Sequence, residues 1–69
     1  MNRHAVTSSM ITSIGYDSEN AILEIEFTNG AVWQYFDFSE AMWYEFKDAD
    51  SHGIYFNREI KNQYTESRV

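Results

Sequence analysis

The chain contains no cysteine and no proline, and only three of its 69 residues are glycine. Without cysteine, neither a disulfide nor a thiolate metal site can stabilise the fold. No apolar run approaches the roughly 18 residues that span a bilayer, and residues 1–6 lack the hydrophobic stretch of a signal peptide. We therefore expect a cytoplasmic protein that does not associate with membranes.

Basic residues are also scarce. The sequence has five Lys and Arg against eleven Asp and Glu, which gives a formal net charge of −6 at pH 7. The acids concentrate in residues 17–50, where Lys47 is the only basic residue. A surface of this charge repels phosphate, which counts against strong non-specific nucleic-acid binding.

Aromatic residues are abundant, at 17% of the chain. Below roughly 70 to 80 residues a single core rarely contributes more than about 3–5 kcal/mol, so the large area buried by each ring matters. No linker or repeat divides the sequence. We expect one domain over residues 9–66, a flexible lead or short extended arm over 1–8 and a tail over 67–69, with a weak homodimer as a further way to bury surface.

Residues 21–38, AILEIEFTNGAVWQYFDF, predict a β-hairpin. Two runs of alternating apolar residues flank Asn29-Gly30, and both of these residues tolerate the positive φ that tight turns require. Residues 10–16, MITSIGY, are β-branched enough to form a preceding strand, with Met10, Thr12 and Ile14 on one face at a period of two. Gly15 indicates a bulge or a close approach of another backbone.

The register of the hairpin has two alternatives. A two-residue turn places Trp33 and Tyr35 on an exposed face beside Glu24 and Glu26. A three-residue turn that begins at Thr28 and ends in a glycine bulge places both aromatic side chains in the core, because a slip of one residue exchanges the faces. We favour the second register, since it gathers the apolar side chains on one face.

Two helices follow the hairpin. Ser39 is placed to cap the first, which runs to about Ala49, and Ser51 is placed to cap the second. The predicted buried stripes are Met42, Phe46 and Ala49 on the first helix, with Trp43 on its flank, and Phe56, Ile60 and Tyr64 on the second. The predicted fold class is α+β, a three-stranded antiparallel β-meander followed by two helices packed on one sheet face, in the order β-β-β-α-α.

Several short motifs, taken in order over about residues 6–64, resemble the KTSC domain. They are Ser8-Ser9-Met10-Ile11, Ile14-Gly15-Tyr16-Asp17, Leu23-Glu24-Ile25-Glu26-Phe27, Asn29-Gly30, Trp33-x-Tyr35 and Ala49-x-Ser51-x-Gly53-x-Tyr55-Phe56-Asn57-x-x-Ile60. The family takes its name from a module at the C-terminus of some lysyl-tRNA synthetases and also occurs as small bacterial and phage-associated proteins. Its function is unestablished, and the resemblance implies association with RNA or tRNA.

Three positions depart from the family pattern. Trp33 stands where the family has the first tyrosine of a Tyr-x-Tyr motif, and Phe38-Ser39 replaces the Val-Pro that commonly opens the first helix. His52 stands where the family often has lysine. The loss of that cation and the acidic middle of the chain weaken the implication of RNA binding for this member.

The first functional hypothesis is a non-enzymatic RNA- or tRNA-binding module. In the exposed register, bases stacked on the aromatic pair would gain roughly 1–3 kcal/mol each, and the second helix would contact phosphates. The candidate binding residues are Trp33, Tyr35, His52, Asn57, Arg58 and Lys61.

The second hypothesis is an acidic protein-interaction module that binds a basic, nucleic-acid-handling protein. Such a surface would imitate nucleic-acid charge, as small phage-encoded inhibitors do. The candidate residues are Glu19, Glu24, Glu26, Asp37, Glu40 and Asp48.

Catalytic and metal-binding hypotheses have little support in the sequence. The serines at 8 and 9 could be written into a triad with His4 or His52, but no nucleophile elbow or spacing accompanies them. The two histidines lack metal-ligand spacing such as His-Glu-x-x-His, and the glycines form no phosphate-binding loop. We expect no enzymatic activity, no metal and no cofactor.

Overall fold

A computed structural model describes all 69 residues. Five strands form one antiparallel sheet whose spatial order follows the chain: β1 Arg3–Ala5, β2 Ile11–Asp17, β3 Ile22–Phe27, β4 Val32–Phe36 and β5 Glu66–Arg68. Helices α1 (Glu40–Lys47) and α2 (His52–Tyr55) lie between β4 and β5, and α2 continues as a π-helical turn, Phe56–Ile60. No helix has the length and apolar character needed to cross a membrane.

The α+β class and the two helices are confirmed, but the prediction of three strands is wrong. The two additional strands lie at the chain termini, where we expected a flexible lead or short extended arm and a tail. Strand β1 pairs with residues 13–15 of β2, and β5 pairs with residues 33–35 of β4. Each is three residues long and has no buried residue, so neither has the alternation that reveals a strand in sequence.

The β3–β4 hairpin adopts the register we favoured. Ile25 pairs with Trp33, and the Phe27 amide donates to the Ala31 carbonyl oxygen at 2.8 Å, which leaves a three-residue turn. Gly30 has φ 89°, a left-handed conformation that suits the glycine of a bulged turn. The turn therefore sends the apolar side chains of both strands to the same face.

Strand β2 contains a bulge that the sequence analysis did not predict. Ile11 pairs with Phe27, whereas Ser13 pairs with Glu26, so one extra residue, Thr12, is accommodated between them. The bulge resets the alternation of side chains. As a result Ile11 is fully buried while Thr12 is exposed, the reverse of what strict alternation with Ile14 predicts.

The two sheet faces differ in what covers them. The helices pack on the covered face, which we define by Ile14, Tyr16, Leu23, Ile25, Phe27, Trp33 and Tyr35. From α1, Trp43 stacks on Tyr16 with ring centroids 5.5 Å apart, and Met42 is only partly buried. The buried stripe of α1 therefore contains Trp43 and Phe46, and it is rotated by one residue from the predicted stripe that began at Met42. The open face carries Arg3, Gly15, Glu24, Glu26 and Gln34 and has no helix over it.

Both predicted helix caps are confirmed. Ser39 Oγ accepts a hydrogen bond from the Met42 amide, and Ser51 Oγ accepts one from the Ile54 amide, each at 3.2 Å. The second helix is shorter than we expected, because the backbone turns to a left-handed conformation at Asn62, with φ 62°. This turn sends the following residues back to the sheet as β5.

Candidate functional site

The aromatic pair of β4 belongs to the covered face. Tyr35 is 2% exposed, and its ring meets the ring of Phe56 edge to face at 5.9 Å. Trp33 is half-buried against the same core. Neither ring shares the open face with Glu24 and Glu26, so the sheet offers no Trp33–Tyr35 stacking platform there.

The other candidate RNA contacts lie on and beside α2. Asn57, Arg58 and Lys61 are exposed, whereas His52 is half-buried with its ring against Phe46. Arg58 Nε lies 2.9 Å from Glu59 Oε2, so its charge is already paired. Of these residues, Lys61 supplies an exposed charge with no ion pair.

Two of the candidate acidic residues lie on the open face and share an ion pair with one arginine. Arg3 Nη1 lies 2.7 Å from Glu24 Oε2, and Arg3 Nη2 lies 3.8 Å from Glu26 Oε1. Ser13 Oγ donates to Glu26 Oε1 at 2.9 Å, and Gln34 Nε2 donates to Glu24 Oε1 at the same distance. The two carboxylates are therefore parts of an internal network, in which Arg3 offsets one of their two charges.

The arginine reaches this network because the neighbouring strand has a glycine. A Cβ on Gly15 would lie 2.6 Å from the Asn2 carbonyl oxygen and 3.0 Å from Arg3 Cγ. The close approach that the sequence indicated at Gly15 is confirmed. It lets Arg3 cross β2 to the carboxylates of β3.

Three other candidate acids meet at one end of the sheet. Glu19 lies in the β2–β3 turn, and Asp37 and Glu40 lie where β4 leads into α1. The Phe38 amide donates to the Ala21 carbonyl oxygen at 2.9 Å, which ties the two connections together. We call the group Asp17, Glu19, Asp37 and Glu40 the acidic end. Asp48 stands apart, since the eight residues of α1 extend about 12 Å from Glu40.

Asp17 was not among the predicted surface residues. Its Oδ2 accepts from the Asn20 side-chain amide at 2.8 Å and its Oδ1 from the Glu19 amide at 3.0 Å. The hydrogen bond from the Asn20 side chain lowers the pKa of Asp17. Burial, with the charges of Glu40 and Asp17, raises the pKa of Tyr16.

A cavity of about 300 Å³ opens between α1 and α2. It is lined by Glu45, Ala49, Asp50, Ser51, Ile54, Tyr55 and Arg58. Of these residues, only Arg58 was a candidate binding residue from the sequence. The cavity depends on how the two helices meet, and no sequence spacing carries that information.

A hydrogen bond joins Tyr55 and Glu45, which both line this cavity. The Tyr55 hydroxyl donates to Glu45 Oε1 at 3.0 Å and lies 3.4 Å from Met42 Sδ. Burial, with the hydrogen bond to Glu45, raises the pKa of Tyr55 to about 12. The phenol therefore stays protonated at neutral pH and holds the carboxylate in one orientation.

Comparison with known proteins agrees with this architecture. A sequence profile of the KTSC domain matches residues 7–64. The chain belongs to the KTSC domain family. The order of motifs that resembled this family in the sequence is thereby confirmed, and the match includes β2, the hairpin, both helices and the cavity between them.

Two further proteins are similar to this chain. A crystal structure of a KTSC domain protein from Yersinia pestis has a TM-score of 0.96 and 37% identity, and the alignment covers 99% of this chain and 96% of that one. An uncharacterized protein of Stutzerimonas stutzeri (strain A1501) is 41% identical over 64 residues, which are 93% of this chain and 90% of the relative. The five-stranded KTSC architecture is thus shared at nearly full length with the Yersinia protein.

Proposed function

We propose that this KTSC domain is a non-enzymatic protein-interaction module that binds a basic partner protein through the acidic end. The observation that carries the proposal is the distribution of ion pairs. Three of the eleven acidic side chains, Glu24, Glu26 and Glu59, lie within 4 Å of a cation, which leaves eight unpaired. Four of those eight form the acidic end.

The acidic end suits a basic partner for two physical reasons. Its carboxylates sit on turns and a helix start that the sheet holds in place, so little ordering is needed on binding. Its four acidic residues lie on connections at one end of the sheet, and a surface of one sign steers a cationic partner and raises the association rate. A basic protein that handles nucleic acid would present the matching charge, and the acidic end would then occupy the place of phosphates.

The test compares two variants of equal charge. Glu19→Gln with Asp37→Asn removes two charges from the acidic end, and Asn is well suited to the left-handed φ of 57° at position 37. Asp48→Asn with Glu66→Gln removes two unpaired charges elsewhere. Each immobilised chain is incubated with native lysate with and without nuclease, and the affinity of the captured basic protein is then measured.

We expect the first variant to weaken binding about tenfold or more, because close charge pairs at an interface contribute roughly 1.5–7 kcal/mol. The second variant should leave binding nearly unchanged. An equal loss of affinity in both variants would show that binding depends on net charge alone, and it would contradict the proposal that the acidic end is the binding surface. Capture that disappears with nuclease would favour RNA as the ligand.

RNA or tRNA binding is the second candidate, supported by the exposed positions of Asn57, Arg58 and Lys61 along one helical segment. These residues could contact a phosphate backbone without any base stacking on Trp33 or Tyr35. The measurement is tRNA binding by fluorescence polarisation over a series of salt concentrations. Affinity that falls with salt and drops in Lys61→Gln supports this candidate, and the absence of binding at low salt contradicts it.

A further inference from the structure

The cavity between α1 and α2 has an apolar wall and a negative rim. Among its lining residues, we call Ala49, Ile54 and Tyr55 the apolar wall and the acidic residues Glu45 and Asp50 the rim. Ile54 is 63% exposed, although its neighbour Tyr55 is buried. An aliphatic stem that ends in a positive charge matches both parts of this lining.

The charges around the cavity do not cancel. No Lys, Arg or His nitrogen lies within 4 Å of the carboxylates of Glu45 and Asp50. Arg58 also lines the cavity, but its Nε is held 2.9 Å from Glu59, and its Cζ lies 5.8 Å from the centre of the Tyr55 ring. With Arg58 offset by Glu59, two negative charges remain for a ligand.

Glu45 is oriented to receive a donor. The Tyr55 hydroxyl donates a hydrogen bond to Glu45 Oε1 at 3.0 Å, which orients the carboxylate. Oε2 of the same carboxylate accepts no hydrogen bond from the protein. Ser51 Oγ accepts from the Ile54 amide, so the hydroxyl hydrogen and one lone pair of Ser51 remain for other contacts. The cavity thus offers acceptors at its rim above an apolar wall.

We propose that this cavity binds the side chain of a lysine on the basic partner. The ammonium lies between Glu45 and Asp50, and the aliphatic stem packs on Ile54 and Ala49. A compact ammonium with three donors suits two separated carboxylates, whereas a planar guanidinium is best matched by one carboxylate in bidentate contact. This assignment rests on the proposed function and adds a second contact to the one at the acidic end.

The first experiment tests the cavity without the partner. The ¹⁵N-labelled full chain is titrated with Nα-acetyl-lysine methylamide and followed through its amide chemical shifts. The same titration is made with the Nε-acetylated lysine probe, which has no charge, and with the arginine analogue. We expect saturable shifts at Asp50, Ile54 and Tyr55 with the lysine probe alone.

Two variants identify the rim. Glu45→Gln keeps an acceptor for Tyr55 and Asp50→Asn keeps the shape, so both should remain folded, and we expect the double variant to weaken lysine binding about three- to fivefold or more. Glu19→Gln with Asp37→Asn is the matched control and should leave lysine binding unchanged. Unsaturable shifts, equal shifts with the neutral probe, or equal affinity for the arginine analogue would each overturn the assignment.

A second experiment separates this assignment from the proposed function. The captured partner is measured against Glu45→Gln/Asp50→Asn and against Glu19→Gln/Asp37→Asn. Loss of partner affinity in both variants supports a lysine in the cavity together with a role of the acidic end. Loss in the acidic-end variant alone overturns the cavity assignment and leaves the proposed function standing.

Discussion

The two faces of the sheet use the same strands for opposite purposes. On the covered face, alternate residues such as Ile25 and Tyr35 are buried under the helices. On the open face, the residues between them form a polar network of Arg3, Glu24 and Gln34. The difference shows that burial on one face is sufficient to define the hairpin, which leaves the other face free to carry charge.

The largest effect should come from the covered face. Ile25 is fully buried, and we expect Ile25→Ala to lower the free energy of unfolding by about 2–5 kcal/mol, because the truncation removes apolar contacts and leaves a cavity. Val32 is half-buried on the open face, and Val32→Ala is the control, which should lower the free energy of unfolding by about 1 kcal/mol or less. Urea unfolding followed by circular dichroism measures both, and similar losses would abolish the distinction between the faces.

Alkaline pH should also act on the covered side of the sheet. Burial raises the pKa of Tyr35 well above the ordinary value of 10.0, and it raises that of Tyr55 to about 12. The unfolded chain loses these protons first, so the stabilisation is complete below about pH 10 and is lost as the pH rises towards 12. We expect a loss on the order of 2 kcal/mol from Tyr55. Urea midpoints across this pH range measure it, and an equally steep alkaline loss in Tyr55→Phe would contradict the assignment.

Gly15→Ala should break the close approach of β1 on the open face. The new Cβ would lie 2.6 Å from the Asn2 carbonyl oxygen, which is backbone and must shift. We expect a loss of about 1–3 kcal/mol in the free energy of unfolding, as in other overpacked sites. In a chain without residues 1–6 the same substitution should cost little, and an equal cost in both backgrounds would show that β1 is not the cause.

The smallest effect should come from Arg3→Ala. The arginine side chain is 30% exposed, and exposed ion pairs contribute about 0.2–1 kcal/mol. The loss should shrink at high salt, because salt screens the attraction to Glu24 and Glu26. Unfolding of this variant at low and high ionic strength checks the prediction, and Arg68→Ala, which lacks an ion pair, is the control.

The parts of the fold that were predictable are those that local residues determine. Asn29-Gly30 and the flanking alternation define the hairpin, the gathering of apolar side chains on one face selects its register, and Ser39 and Ser51 define where the helices begin. The bulge at Thr12 was not predictable, because it depends on how β2 meets β3. The terminal strands were missed because their pairing is non-local and their side chains are exposed.

The candidate sites divide in the same way. That Glu19, Asp37 and Glu40 share a surface follows from hairpin topology, although the pinning of Glu24 and Glu26 by Arg3 requires a strand that the sequence does not reveal. The cavity at Tyr55 was missed because the buried stripe of the second helix was predicted from the spacing of four residues that begins at Phe56. That stripe assigns no role to the neighbouring Tyr55. The signal available in the sequence was the pair of adjacent aromatic residues, Tyr55 and Phe56.

The positions of β1 and β5 make the ends of the chain the borders of the sheet. Each border consists of three residues, and each shields a longer strand, the seven residues of β2 and the five of β4. Trimming either terminus would leave a long, unpaired edge open to another molecule, which is a common start of aggregation. The short terminal strands therefore protect the sheet from edge-to-edge association, and any fusion or tag must leave them in place.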